Sequence, residues 1–148
     1  MTKRIIHVVG TGTIGEPLIG LLTHYQSEMG LDEITFHKHS VSDRPKVKAL
    51  VDRGAKLAVD AEKMDAFKAA GINPVMTHAQ ALEQATVVID CSPKGLEMKE
   101  KVYKNYEHNT KGFIAQGSEF GFGKMYARGI NDEILQSDDK YNHVVSCN

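Results

Sequence analysis

Two stretches of this 148-residue chain place side chains where they could do chemistry. The first is GTGTIG, in which Gly10, Gly12 and Gly15 make the pattern G-x-G-x-x-G. Glycines cluster in turns by chance, so the pattern alone says little. Here a β-rich apolar run, RIIHVV (Arg4 to Val9), precedes it and a helical pattern follows it, which is the setting in which such a loop holds a dinucleotide. Gly10 would permit the tight turn, Gly12 would let the backbone approach a pyrophosphate, and Gly15 would let helix and strand pack closely. The helix start would offer free N–H groups and a partial positive charge to the phosphates. The plain alternative is a structural glycine turn in a domain that binds nothing. The second stretch is HVVSCN, His143 to Asn148. A thiol at a strand end where a helix could begin has its thiolate stabilised by the helix dipole. Beside a hydride acceptor such a cysteine could serve as a nucleophile. His143 lies too far back for a dyad, roughly 13 Å along an extended strand. The pattern leaves Cys147 open between a nucleophile and an inert thiol.

The end of the second strand, ITFHKHSVSDR, tests the dinucleotide reading further. Domains that bind NAD usually carry Asp or Glu there, for the ribose 2′-hydroxyl. This chain has His37, Lys38, His39 and Ser40, with Arg44 soon after. A basic, hydroxyl-bearing cluster suits a 2′-phosphate, so Lys38 and His39 become cofactor-binding candidates and NADP is favoured over NAD. A solvated loop with incidental charges is the alternative. His37 and His39 share one strand face and could meet zinc, but no further ligand is in sight and no metal site is expected. Ligands in such folds sit beyond the carboxyl ends of the strands. Two further strand ends, IDCSPKG and AQGSE, therefore add Ser92, Pro93, Lys94, Gln116 and Gly117 as residues that could border the cofactor. Ordinary turn chemistry is the competing account of those five. Cys91 reads as a small buried hydrophobe.

These residues need a scaffold, and the element pattern supplies one. Ile14, Leu18, Leu21, Leu22 and Tyr25 recur at helical spacing, with Gly30 as a stop. EITFHKH follows as a strand, RPKVKALVDRG as a helix with Pro45 in its first turn, and AKLAV as a strand. DAEKMDAFKAAG reads as a helix with Asp60 as N-cap and Gly71 past its end. Thr77 and Gln80 make a capping-box pattern. TVVIDCS is the clearest buried strand, LEMKEKVYKNYEHN an amphipathic helix, GFIAQG a strand and HVVSC the last strand. Ser118 to Asn142 is the least legible segment, with room for a loop and a short helix. Strands alternating with helices predict an α/β fold of the Rossmann type, a doubly wound, mainly parallel sheet with helices on both faces.

Composition sets the outer bounds. The length suits one domain spanning residues 1–148. A 41 % hydrophobic and 25 % charged chain is globular rather than disordered. A formal net charge of -1 gives no basic excess for nucleic acid. The two cysteines are far apart, with no metal-ligand spacing, so a cytoplasmic setting is expected. No apolar stretch approaches the roughly 20 residues of a membrane span, and the N-terminus lacks the marks of a signal peptide.

VVGTGTIG, KLAV, FKAAGI, DCSPKG, AQGSE and VVSCN occur in the order expected for archaeal-type (type II) glyceraldehyde-3-phosphate dehydrogenases. The chain resembles the N-terminal, NAD(P)-binding part of that family along essentially its whole length. The resemblance implies Thr13 and Ile14 at the pyrophosphate, Lys38 near the adenosine 2′-phosphate, Cys147 as nucleophile and Asn148 beside it. It implies thiolate attack on an aldehyde, hydride transfer to NAD(P) and phosphorolysis of the thioester. It also implies a small-molecule aldehyde and phosphate as partners, and a homo-oligomer for the complete enzyme. The family's catalytic histidine would lie in a second domain, so the isolated chain is expected to bind cofactor with little or no turnover. An aspartate-semialdehyde dehydrogenase-like enzyme shares the plan of glycine loop then cysteine. A free-standing NAD(P)-binding module without catalysis is the rival from another class. The chain departs from the family pattern at Val9, in HKHSVSDRP and in QGSEF.

Overall fold

A strand covered on both faces needs apolar residues throughout, and β1 (Ile5–Val9) has them everywhere except His7. The computed structural model describes residues 2–145. After β1 come α1 (Gly15–His24), β2 (Glu33–His37), α2 (Arg44–Asp52), β3 (Lys56–Val59), α3 (Met64–Ala69), β4 (Met76–Thr77) and α4 (His78–Gln84). The second half holds β5 (Val87–Asp90), α5 (Gly95–Lys101), β6 (Gly112–Gln116), β7 (Lys124–Tyr126) and β8 (Tyr141–Val144). The strands form one sheet in the order β4-β3-β2-β1-β5-β6-β8-β7, and every pairing is parallel. This is the Rossmann-type α/β architecture that the element pattern predicts.

Alternate residues along the strands serve opposite faces. Ile6 and Val8, with Ile34 and Phe36 of β2 and Leu57 and Val59 of β3, pack under Ile19 and Leu22 of α1, Val47 and Leu50 of α2 and Phe67 of α3. Val9, Val88, Phe113 and Ala115 face the other way, against Leu82 of α4, Tyr103 and Phe122. On that second face a polar layer replaces the expected apolar one. His7, Thr35 and His37 are all buried, and His78 at the start of α4 lies on them. His7 Nδ1 meets Thr35 Oγ1 at 2.7 Å and His7 Nε2 meets His78 Nδ1 at 3.1 Å, while His78 stacks on His37 with ring centroids 3.9 Å apart. Thr77 and Gln80 close the capping box reciprocally and so hold His78 in the first turn of α4.

Four local expectations change. The buried stripe of α1 is Gly15, Ile19 and Leu22, whereas Ile14, Leu21 and Tyr25 are 50 %, 56 % and 42 % exposed. Both stripes have helical spacing, and only the docking of Gly15 against the glycine turn selects between them. Asp60 does not cap a helix with its side chain, because a 3-10 turn (Ala61–Lys63) follows it and its carboxylate is taken by two histidines. The unread segment contributes β7, which pairs with β8 at the sheet edge. The last strand begins two residues earlier than HVVSC and is described to Val144, so Cys147 and Asn148 lie outside the described residues.

Candidate functional site

The chain builds outward from β1 through β2 and β3 to β4, then crosses to β5 on the other side of β1. The carboxyl ends of β1 and β5 therefore flank the switch point, where doubly wound sheets bind ligands. The glycine turn lies there. The Gly10 N–H donates to the His37 carbonyl at 3.3 Å, and the Cys91 N–H donates to the Val9 carbonyl at 2.8 Å. Gly10 has φ +96°, and a Cβ there would stand 3.2 Å from the Cys91 carbonyl carbon. A Cβ on Gly15 would fall 2.0 Å from the Gly10 carbonyl oxygen, so glycine is what lets α1 seat on β1. A Cβ on Gly12 would meet nothing within 4 Å.

The space beside Gly12 faces unused donors. The N–H groups of Gly12, Thr13 and Ile14 donate to no backbone carbonyl among the described residues. Ile14 stands at the N-cap of α1 and has no side chain that could cap it. Glu16 in the first turn would oppose an anion, but Lys46 Nζ lies 3.3 Å from its carboxylate. Open space, free N–H groups and the positive helix end fit a pyrophosphate.

The β5 loop is held from below by Asp90, which sequence reasoning passed over as one more strand residue. Asp90 is buried, and it accepts from the Ser92 N–H at 2.8 Å, the Ser92 hydroxyl at 2.7 Å and the Tyr103 hydroxyl. Burial pushes its carboxyl above the usual range, against the pull of Tyr103 and Ser92. Ser92 is thereby committed to its own turn, and it also accepts from the Lys94 N–H at 3.2 Å. Pro93 and Lys94 remain exposed at the loop tip. Asp90→Ala should cost about 2 kcal/mol, because it strands a buried tyrosine hydroxyl and frees the loop. Asp90→Asn, which keeps an acceptor, should cost less, and urea denaturation of both variants checks this.

Cys91 packs as expected. Burial first, then the Asp90 carboxylate, pushes its thiol up to about 12, so it stays protonated and unreactive. Its Sγ approaches Gln116 Oε1 at 3.9 Å, which ties the β5 and β6 loops together. Gly117 follows with φ +74°, and its carbonyl accepts from His143 Nε2 at 2.6 Å. His143 is fully buried and turned toward that carbonyl. Glu119, also missed, accepts from the Leu96 N–H at 2.7 Å and covers the start of α5.

The β2 end differs from its sequence reading. No carboxylate stands at the end of β2 in the chain, yet Asp60 from the end of β3 arrives there in space. It sits 3.0 Å from His37 Nε2 and 3.0 Å from His39 Nδ1. Burial raises the Asp60 carboxyl, but the two histidines outweigh it and hold it below the usual range. Lys63 reaches over the same spot and donates to the His39 carbonyl at 2.7 Å. Lys38 is largely buried, with Nζ 3.7 Å from Asp43. Arg44 turns away, donating at 3.5 Å to the Ala70 carbonyl at the end of α3. The parallel register His37↔Ala58 is the signal that could have linked Asp60 to the histidines. His78, 71 positions from His7, left none.

The glycine turn, Ser92, Pro93, Lys94, Gln116 and Gly117 thus gather at adjoining strand ends, with Lys38 and His39 on the β2 side. No helix of the described residues is long and apolar enough to cross a membrane. No protein-family model matches the chain. Among curated proteins, the glyceraldehyde-3-phosphate dehydrogenase of Pyrobaculum neutrophilum is 30 % identical over 146 residues, 97 % of this chain and 40 % of that protein. The enzyme of the same name from Hyperthermus butylicus is 32 % identical over 119 residues, 80 % of this chain and 33 % of that protein. That of Methanobacterium bryantii is 29 % identical over 150 residues, covering 98 % and 42 %. The chain spans about two fifths of the length of such relatives. Along nearly its whole length this chain is similar to one part of the archaeal glyceraldehyde-3-phosphate dehydrogenases.

Proposed function

We propose that these residues are the dinucleotide-binding part of a phosphorylating aldehyde dehydrogenase that oxidises glyceraldehyde-3-phosphate. The observation that carries the reading is the open ground beside Gly12, faced by three backbone N–H groups that bond to no described carbonyl. Gly10, Gly12, Thr13, Ile14 and Gly15 would hold the pyrophosphate. Lys38 and His39 would face the adenosine ribose, where the Lys38 ammonium favours NADP over NAD. Pro93, Lys94, Gln116 and Gly117 would border the rest of the cofactor, and Ser92 would support them through its bonds to Asp90. The bound nicotinamide would supply the hydride acceptor.

The covalent chemistry is assigned to Cys147 through the family resemblance, with Asn148 beside it. Its thiolate would attack the aldehyde carbon, and phosphate would later release the acyl group from sulfur. Two described residues are poorly suited to share that work. Cys91 is held protonated by burial, and His143 is committed to the Gly117 carbonyl. We therefore assign the general base to residues outside the described ones.

Calorimetric titration of the chain with NADP+ and then NAD+ tests the proposal. Binding of both is expected, tighter for NADP+, with a rise in melting temperature that follows cofactor concentration. Tighter NAD+ binding would overturn the NADP preference. No heat and no thermal shift with either would overturn the dinucleotide reading itself.

A further inference from the structure

We propose that His37, His39 and Asp60 form a binding site for a first-row divalent metal ion of the zinc type. The donor atoms of these three residues lie within 4.8 Å of one another. His37 Nε2 and His39 Nδ1 each stand 3.0 Å from a different oxygen of the Asp60 carboxylate. Tetrahedral ligands about 2.0–2.1 Å from zinc stand about 3.4 Å apart, so small side-chain shifts would bring the three into coordination. Two imidazoles and one carboxylate make a borderline-soft set that suits zinc, cobalt or nickel better than calcium or magnesium. Each imidazole would coordinate through the nitrogen now facing Asp60 and carry its proton on the other.

The surroundings favour a cation over a chance cluster. His37 is fixed from behind by the stacked ring of His78, whose Nε2 is buried without a hydrogen-bond partner among the described residues. The His39 side chain is 76 % exposed, so the cluster is open to water, which could serve as fourth ligand; Asp60 also borders a cleft of about 320 Å3 that His78 lines. A cationic group already lies over the site. Lys63 Nζ is 3.6 Å from Asp60 Oδ2 and within 3.1 Å of both ring nitrogens of His39. Its side chain is 29 % exposed and can swing into water. The ammonium and the metal would therefore compete.

The test uses untagged protein stripped with a chelator and titrated with Co2+, then with Zn2+ as competitor. Absorption from low-symmetry cobalt should appear at one equivalent and be displaced by Zn2+. His39→Ala, at an exposed position, should weaken binding more than about tenfold, since even outer-shell partners of metal ligands carry that much. Asp60→Asn should do the same. Lys63→Met should tighten binding, which ordinary surface-histidine binding would not do. His108→Ala, removing an exposed histidine elsewhere, should change nothing. Absence of cobalt uptake by the wild type overturns the proposal. So does uptake that survives His39→Ala, or that is lost in Cys147→Ser and so belongs to the thiol. The metal is tested alone, so failure here leaves the dinucleotide reading standing, and failure of that reading leaves this one.

Discussion

Gly12→Val is expected to leave the protein folded and to weaken dinucleotide binding by more than about a hundredfold, or close to 3 kcal/mol. The substitution has room, because a Cβ at Gly12 meets no atom within 4 Å, and Gly12 is not among the glycines with positive φ. The new side chain would fill only the space that the phosphates are proposed to occupy. Gly15→Ala should behave in the opposite way. Its methyl would sit 2.0 Å from the Gly10 carbonyl oxygen and 2.8 Å from the Gly10 carbonyl carbon. Both are backbone atoms that cannot rotate aside. α1 would have to lift off β1 and loosen Ile19 and Leu22. Overpacking of this kind costs about 3 kcal/mol or more, which is roughly 10 °C in melting temperature for a domain of this size. Urea denaturation and NADP+ titration of both variants read the two effects separately. Unchanged NADP+ affinity in Gly12→Val would remove the glycine turn from the site. Wild-type stability in Gly15→Ala would show that the contact between helix and strand is not what demands glycine.

Stability should fall steeply as the pH drops below about 6.5, well before ordinary carboxylates titrate. His7 and His78 are the cause. Burial, then the neighbouring His78 and His37, holds His7 well below the usual range. Burial and then His37 bring His78 down to about 3, against the opposing pull of Asp60. Both are bases whose folded values lie beneath their unfolded ones. Below about pH 6.5 the unfolded chain takes up protons that the folded chain refuses, so the folded state loses about 1.4 kcal/mol per pH unit for each such group. For His78 alone this amounts to about 3 kcal/mol between neutrality and about pH 4.5. His7 adds in the same direction. Asp90 works against them, since its raised carboxyl relieves a burial penalty when it protonates. Glu33 and Asp60, held low by their partners, lose their contribution only at more acid pH. Urea denaturation in chelator at about pH 7 and about pH 4.5 should show the loss, and His78→Gln should flatten it. A wild-type stability that is level across this range would mean that the histidine layer protonates without opening the fold.

The alternation of strands and helices, the parallel sheet, the glycine turn and the likeness to glyceraldehyde-3-phosphate dehydrogenases were legible in the sequence alone. Those features are local or nearly so. Apolar runs such as IIHVV and VVID mark doubly covered strands, a capping box spans Thr77 to Gln80, and the glycine motif joins a strand to a helix within a few residues. The packed face of α1 was not legible, because two apolar stripes compete along it and the choice depends on a 2.0 Å approach to Gly10. Asp60 read as a cap because its neighbours in the chain are helical, yet its partners, His37 and His39, lie 23 and 21 positions away. Asp90 read as strand interior because Tyr103 reaches it from beyond α5. Only the tertiary structure decided these, because parallel pairing brings together strand ends that the chain keeps a helix apart. Hydrogen bonds and charge then assign each polar side chain to whichever neighbour it meets there.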